Sequence, residues 1–186
     1  GLAAGLENNI ILASGAGAIK AQHNGTDWTL TGGVTVLGGQ IKFPATQVAS
    51  SDTNTLDDYE EGTFVPTIIG TTTAGVGTYS TQVGRYTKIG NVVHIEINLA
   101  WTAHTGTGNM QISGLPMTSS ASVRATFAAH YNDMVVGAGK SLGVFFASVS
   151  NTVLSAYAND PTGGANTAVT MDSVVSFLSI SGTYSV

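Results

Sequence analysis

Along Asn91–Trp101, NVVHIEINLAW, every second residue is apolar: Val93, Ile95, Ile97, Leu99 and Trp101 alternate with His94, Glu96, Asn98 and Ala100. A two-residue period places one set of side chains on each side of an extended chain, so this segment predicts a strand with one buried and one polar face. VRATFAAHY alternates likewise, with Val123, Phe127 and Tyr131 opposing Arg124, Thr126 and His130. Further strands are predicted at 64–69, 85–89, 110–112, 143–149, 152–157 and 174–180. Between them lie turn signals such as TTTAGVGT, KIGN, HTGTGN, SGLP, GAGKS and NDPTGGAN. No helical period follows residue 8. Short strands at even intervals predict an all-β antiparallel sandwich or barrel-like fold over residues 63–186.

Residues 1–46 show a different pattern. Short β-prone runs, Ile10–Leu12, Trp28–Leu30, Val34–Leu37 and Ile41–Phe43, are split by NGTD and by paired glycines. They carry too few large side chains to build a core in one chain, and an isolated hairpin is marginal in water. Identical copies wrapped round an axis would bury one another's apolar residues, so this segment is expected to be a trimeric β shaft. A Gly-rich leader is the competing reading, against which the regular β-branched residues argue. Residues 47–62, QVASSDTNTLDDYEEG, are polar and without period, and are expected to form a linker or elbow. Together these readings give an elongated homotrimeric fibre: an interwoven β shaft followed by an antiparallel β-sandwich-like head domain.

Composition narrows the function. Only 9% of the 186 residues are charged, with 6 Lys and Arg against 11 Asp and Glu. Nucleic acid is therefore not an expected partner, because phosphate binding needs clustered cations. With no cysteine there is neither a disulfide framework nor a thiolate metal site. No apolar run reaches the length of a membrane span, so membrane insertion is not expected. Against this sparse background LDDYEEGTF gathers Asp57, Asp58, Glu60 and Glu61 around Tyr59.

The run IKFPATQVASSDTNTLDDYEEGTFVPTI, followed by YSTQVGRYTKIGNVVHIEI, resembles a segment shared by tail-fibre and tail-spike proteins of tailed bacteriophages. GNMQISGLP and the closing ISGTYSV fit the same family. The resemblance covers residues 41–118 and the C-terminal tip. It implies an extracellular virion protein: a homotrimer with a slender β-rich shaft and a distal β domain that meets the host cell. Other phage tail or baseplate proteins would then be partners. LDDYEEGTF sits where shaft gives way to head, so its carboxylates are expected to accept hydrogen bonds from turn amides. They are also candidates to pair with Arg85 and Lys88, within one subunit or across to a neighbour, with Tyr59 as a wedge between chains.

Candidate chemistry is weighed on the same residues. Glycoside cleavage needs two carboxylates roughly 5–10 Å apart, and the run DDYEE gives no specific spacing. Glycan depolymerases on phage spikes generally resemble long parallel β-helices, which this chain is too short to form, so no enzyme is expected. Gly139–Lys140–Ser141 imitates the end of a phosphate loop, but Met134 stands where its first glycine belongs. His23, His94, His104 and His130 lie at no close metal-ligand spacing, and neither a metal nor a cofactor is expected.

Sugar recognition combines an aromatic face with Asn, Asp and backbone groups. WTAHTGTGN, HYNDM and AYANDPTGGAN have that mix, and give Trp101, His104, His130, Tyr131, Asn132, Asp133, Tyr157, Asn159 and Asp160 as candidate glycan contacts. Trp101 equally completes an apolar strand face, and Asn-Asp is ordinary turn chemistry. The leading expectation is a trimeric fibre that binds a bacterial surface polysaccharide, capsule or lipopolysaccharide, without cleaving it. The alternatives are a purely structural trimerisation or capping module, and a capsule depolymerase with a site between subunits.

Overall fold

A computed structural model of the chain describes residues 10–13, 19–23, 28–30, 34, 39–52 and 54–186. By its contacts the chain divides into two compact units, Gly1–Lys42 and Phe43–Val186. There is no helix among the described residues.

The first unit contains a three-stranded antiparallel sheet: β1 (Ile10–Ala13), β2 (Ile19–His23) and β3 (Trp28–Leu30), in the order β1-β2-β3. The β2 strand was not expected, because its sequence IKAQH has little β-branched character. His23 faces Trp28 across the β2–β3 pair, with ring centroids 5.2 Å apart. Trp28, Leu30, Val34 and Ile41 are all exposed within the chain. Ile41–Phe43 is not a strand, and Val34–Leu37 falls, apart from Val34, outside the described residues together with the NGTD turn.

The second unit is a ten-stranded antiparallel sheet. Its strands are β4 (Tyr59–Phe64), β5 (Thr67–Gly70), β6 (Gly77–Ile89), β7 (Val92–His104), β8 (Met110–Ser113), β9 (Ala125–Asn132), β10 (Ser141–Ala147), β11 (Val153–Asn159), β12 (Thr167–Ala168) and β13 (Val175–Ser185). They run in the order β4-β6-β7-β13-β9-β10-β11-β8-β5, with β12 beside β11.

Two devices curl this sheet. Strand β9 serves both halves: Ala128–Asn132 pair with β13, whereas Ala125–Phe127 pair with β10. The two ends of the order, β4 and β5, are successive pieces of chain broken at Val65–Pro66. Proline has no amide hydrogen to donate to a ladder, so the single strand predicted over 64–69 divides here and its second piece joins the other half. Gln82 Nε2 donates to Pro66 O at 3.0 Å, and the amide of Ile68 donates to Tyr79 Oη at 2.9 Å, tying β6 to this corner.

The core lies between the halves. Val93, Ile95, Ile97, Leu99 and Trp101 of β7 face Phe127, Phe145, Leu154, Ile112 and Ile68. The alternating set read from β7 is the set that is buried, and each such side chain contributes about 1.5–3 kcal/mol on burial. In the β4–β6 pair, aromatic rings cover glycines reciprocally: Tyr86 lies against Gly62, its register partner, and Phe64 against Gly84. A Cβ on Gly84 would stand 2.8 Å from the Phe64 ring, so the absence of a side chain there makes room for the ring. Residues 59–62, expected within a polar elbow, are therefore strand. Their alternation is hidden in the sequence because the inward positions carry Glu60 and a glycine.

Candidate functional site

The acidic run is accounted for inside the chain. Strand β4 is a sheet edge, so its inward side chains lean over the flank of the core. There Asp58 and Lys88 form an ion pair with both side chains nearly buried, and Lys88 Nζ also reaches Gln47 at 3.5 Å. Tyr86 Oη donates to Glu60, and this bond, more than burial, pushes the Tyr86 phenol up to about 12. Tyr59 Oη donates to Glu61 at 2.8 Å, which raises the Tyr59 phenol above its ordinary value. The amide of Ser50 donates to Asp57 at 2.9 Å and holds that carboxyl below the usual range. Four carboxylates thus bind four different partners. Arg85, on the outer face, has no ion-pair partner among the described residues.

The strands of the second unit run between two ends. One is where the chain arrives, before Tyr59. There Gly90 N donates to Asp58 O at 3.0 Å, Val186 N to Asn91 O at 2.9 Å and Ser120 N to Ser185 O at 2.7 Å. Tyr184 belongs to this end: its hydroxyl donates to Met117 O at 3.1 Å, and burial pushes its phenol up to about 12.

The opposite end is a rim of loops, 71–76, 105–109, 133–140 and 160–174, laced together by their own hydrogen bonds. Thr72 N donates to Thr107 O at 3.0 Å and Met171 N to Gly108 O at 2.8 Å. Val135 N donates to Asp172 Oδ2 at 2.9 Å, and Lys140 Nζ to Thr167 Oγ1 at 2.8 Å. A hollow of about 330 Å³ opens where three of them meet, lined by Gly106, Val135, Thr170, Met171, Asp172 and Ser173. The loops after WTAH, HYN and AYAN all reach this rim. Loop 71–76, which sequence reasoning passed over as a simple turn, joins them.

The individual candidates divide by burial. Trp101 is 1% exposed, packs in the core and donates its indole N–H to Asp172 O at 3.1 Å. Its ring face is closed to a ligand. His104 is 8% exposed, with Nε2 3.0 Å from Ile68 O while Nδ1 accepts from Gly106 N at 2.8 Å. Both nitrogens are used to hold loop 105–109, so His104 is a brace rather than a contact. Strand β7 runs on to His104, and an irregularity in its pairing with Thr78–Thr81 shifts the alternation there, so that Ala103 is exposed and His104 is buried.

The other candidates lie outside the core. His130 packs edge-on against Phe177 at 5.5 Å on the outer face, and Tyr131 is half-buried against the core. Tyr157 meets Phe146 edge-on at 5.8 Å on the outer face of β10–β11. Asn132 and Asn159 are exposed at the strand ends that feed the rim. Asp133 sits at φ 61° and accepts from Ser176 Oγ. Asp160 accepts from Thr162 Oγ1 at 2.6 Å and from Thr162 N at 2.9 Å, which keep its carboxyl below the usual range. Among the described residues no group of three or more His, Asp or Glu is arranged to hold a metal.

The outer faces of the two halves differ. That of β4–β6–β7–β13 carries Thr63, Thr81, Arg85, Thr87, His94, Glu96, Asn98, Ser181 and Thr183, with Val83, Ile89 and Phe177 exposed among them. That of β10–β11 and β5 carries Phe146, Tyr157, Val144, Val153 and Ile69, with the Arg124 guanidinium 5.8 Å from the Phe146 ring centre.

No protein family description matches the chain, and no curated protein does. Among solved structures it is similar to the crystal structure of the Dettilon tailspike protein, with a TM-score of 0.55 and 21% sequence identity over 68% of this chain. The likeness spans 24% of that protein's length. At this identity it is a likeness of fold: the all-β architecture described above also occurs as part of a tailspike.

Proposed function

We propose that this chain is a distal part of a phage tail spike or fibre, a homotrimer that attaches the virion to a bacterial surface polysaccharide, capsule or lipopolysaccharide, without cleaving it. The observation that carries this reading is the convergence of loops 105–109, 133–140 and 160–174 at one end of the sheet, opposite the end at which the chain arrives. A host-facing tip needs that polarity. The fold likeness to a tailspike and the resemblance of the FPATQ, LDDYEEGT and GRYTKIGN segments point the same way.

Trimer formation is supported by apolar surface that one chain leaves uncovered. Trp28, Leu30, Val34 and Ile41 of the first unit are 47–70% exposed, and the outer face of β10–β11 carries Phe146, Tyr157, Val144 and Val153. Burying such faces between identical copies also shields sheet edges. Residues 1–46 would then be shaft, 47–62 a junction whose last four residues already run in β4, and 63–186 head, with another tail protein holding the shaft. Three copies per fibre make weak single sites effective by avidity.

A non-cleaving role is favoured by what the rim carboxylates do. Asp160 accepts bonds within its own turn, Asp172 from Val174 in its own and from Val135 across the rim, and Asp133 from Ser176 of β13, whereas a catalytic acid must be free to exchange a proton.

The test is binding of labelled protein to host cells and its loss in surface-glycan mutants. Asn132→Ala combined with Asn159→Ala is expected to weaken binding while the melting temperature stays put. Equal binding to glycan-deficient cells would overturn the receptor assignment, and a clearing halo on host polysaccharide would overturn the non-cleaving one.

A further inference from the structure

The polar outer face of β4–β6–β7 is a trough, open to solvent and separate from the rim. A hollow of about 400 Å³ is lined by Glu61, Thr63, Arg85, Thr87, His94 and Glu96 together with Gly62 and Tyr86. A second hollow of about 330 Å³, lined by Thr81, Val83 and Asn98, shares Arg85 and Glu96 with it. The floor is built from the middle of two 13-residue strands paired over nearly their whole length, which holds its side chains on a rigid support.

The lining is unusual in what it leaves unpaired. Arg85 and Glu96 are register partners on β6 and β7, yet they form no ion pair. Among the described residues the side chains of Arg85, Glu96 and His94 have no hydrogen-bond partner, while Glu61 keeps Oε1 free beside the Oε2 that accepts from Tyr59. A chain with only six Lys and Arg thus holds an uncommitted guanidinium between two carboxylates, at the centre of its most polar face.

We propose that this trough is a saccharide-binding groove, taking an uncharged stretch of polysaccharide. A sugar hydroxyl both donates and accepts, so an alternation of carboxylate, guanidinium and threonine hydroxyl along a groove matches a run of hydroxyls. The two carboxylates outnumber the one guanidinium, and the chain carries a net charge of −5. A polyanionic glycan is therefore repelled, and a phosphate-rich partner is disfavoured for the same reason. This site shares a ligand class with the attachment role proposed above, but it involves different residues.

An array of purified bacterial polysaccharides sorted by charge, probed with the full chain, tests it. Binding to one or more neutral glycans is expected. Arg85→Ala and Glu96→Gln are each expected to weaken that binding about tenfold or more, the worth of a hydrogen bond to a charged group. Both positions are exposed, so circular dichroism melting should match the parent. Neutral glycans bound equally well by both variants would overturn the groove while leaving the rim in place, and loss only in the Asn132→Ala, Asn159→Ala variant would do the same. Binding confined to anionic glycans, or binding to no glycan, would also overturn it.

Discussion

Lys88 and Asp58 show how one residue's meaning depends on its strand position. With Asp58 just ahead of the edge strand β4 and Lys88 on the inward side of its neighbour β6, the pair is largely shielded from water, so each charge depends on the other. Asp58→Ala is expected to cost about 3–5 kcal/mol, because it strands the Lys88 ammonium. Replacing both together, Asp58→Leu with Lys88→Met, should recover most of the loss, and chemical denaturation of the single and double variants measures the difference. Gly84 depends on space instead. Gly84→Ala sets a methyl against the Phe64 ring and is expected to destabilise by about 1–3 kcal/mol. The paired variant Gly84→Ala with Phe64→Leu should relieve the clash in the same measurement. The sequence offered Lys88 as a candidate partner for the acidic run, and the structure selects Asp58 for it; nothing in GRYTKIG tells that Gly84 makes room for the Phe64 ring.

Among the elements, β7 was the most readable, because one whole face of it packs against the other half of the sheet. Ile97→Ala, at the middle of that face, is expected to cost about 2–5 kcal/mol in a denaturant titration. Strand β4 was the least readable. Of its inward residues only Phe64 packs against the core, while Glu60 bonds Tyr86 and Gly62 lies under the Tyr86 ring, so no apolar period marks it. The boundary of β7 was also missed at its far end: Trp101 and His104 look like loop chemistry in WTAHTGTGN, but the strand carries both inward. His104→Ala should leave Ile68 O and Gly106 N without their partner and cost about 1–3 kcal/mol, with the loss seen in thermal melting.

For the whole second unit, Tyr184 links the last strand to the SGLP loop, and its burial sets a pH limit. Its folded-state phenol titrates near 12 against an ordinary value of 10.0. Stability from the buried neutral phenol is therefore complete below pH 10 and lost as pH rises towards 12. Alkaline unfolding should accordingly be delayed less in the wild type than in Tyr184→Phe, as followed by near-ultraviolet circular dichroism between pH 9 and 12. At the same scale, the solution mass of the full chain should be that of a trimer, and its loss on removing residues 1–46 would assign the shaft its role.

By itself the sequence determined that the protein is all-β, which face of β7 is buried, and that no thiolate is available to hold a metal. These follow from side-chain period and composition, which are local. Only the tertiary structure decided that the acidic run is spent on internal bonds, that Trp101 and His104 are enclosed, and that distant loops share one rim. Each of these depends on which strands lie side by side, and a β sheet takes its neighbours from far along the chain.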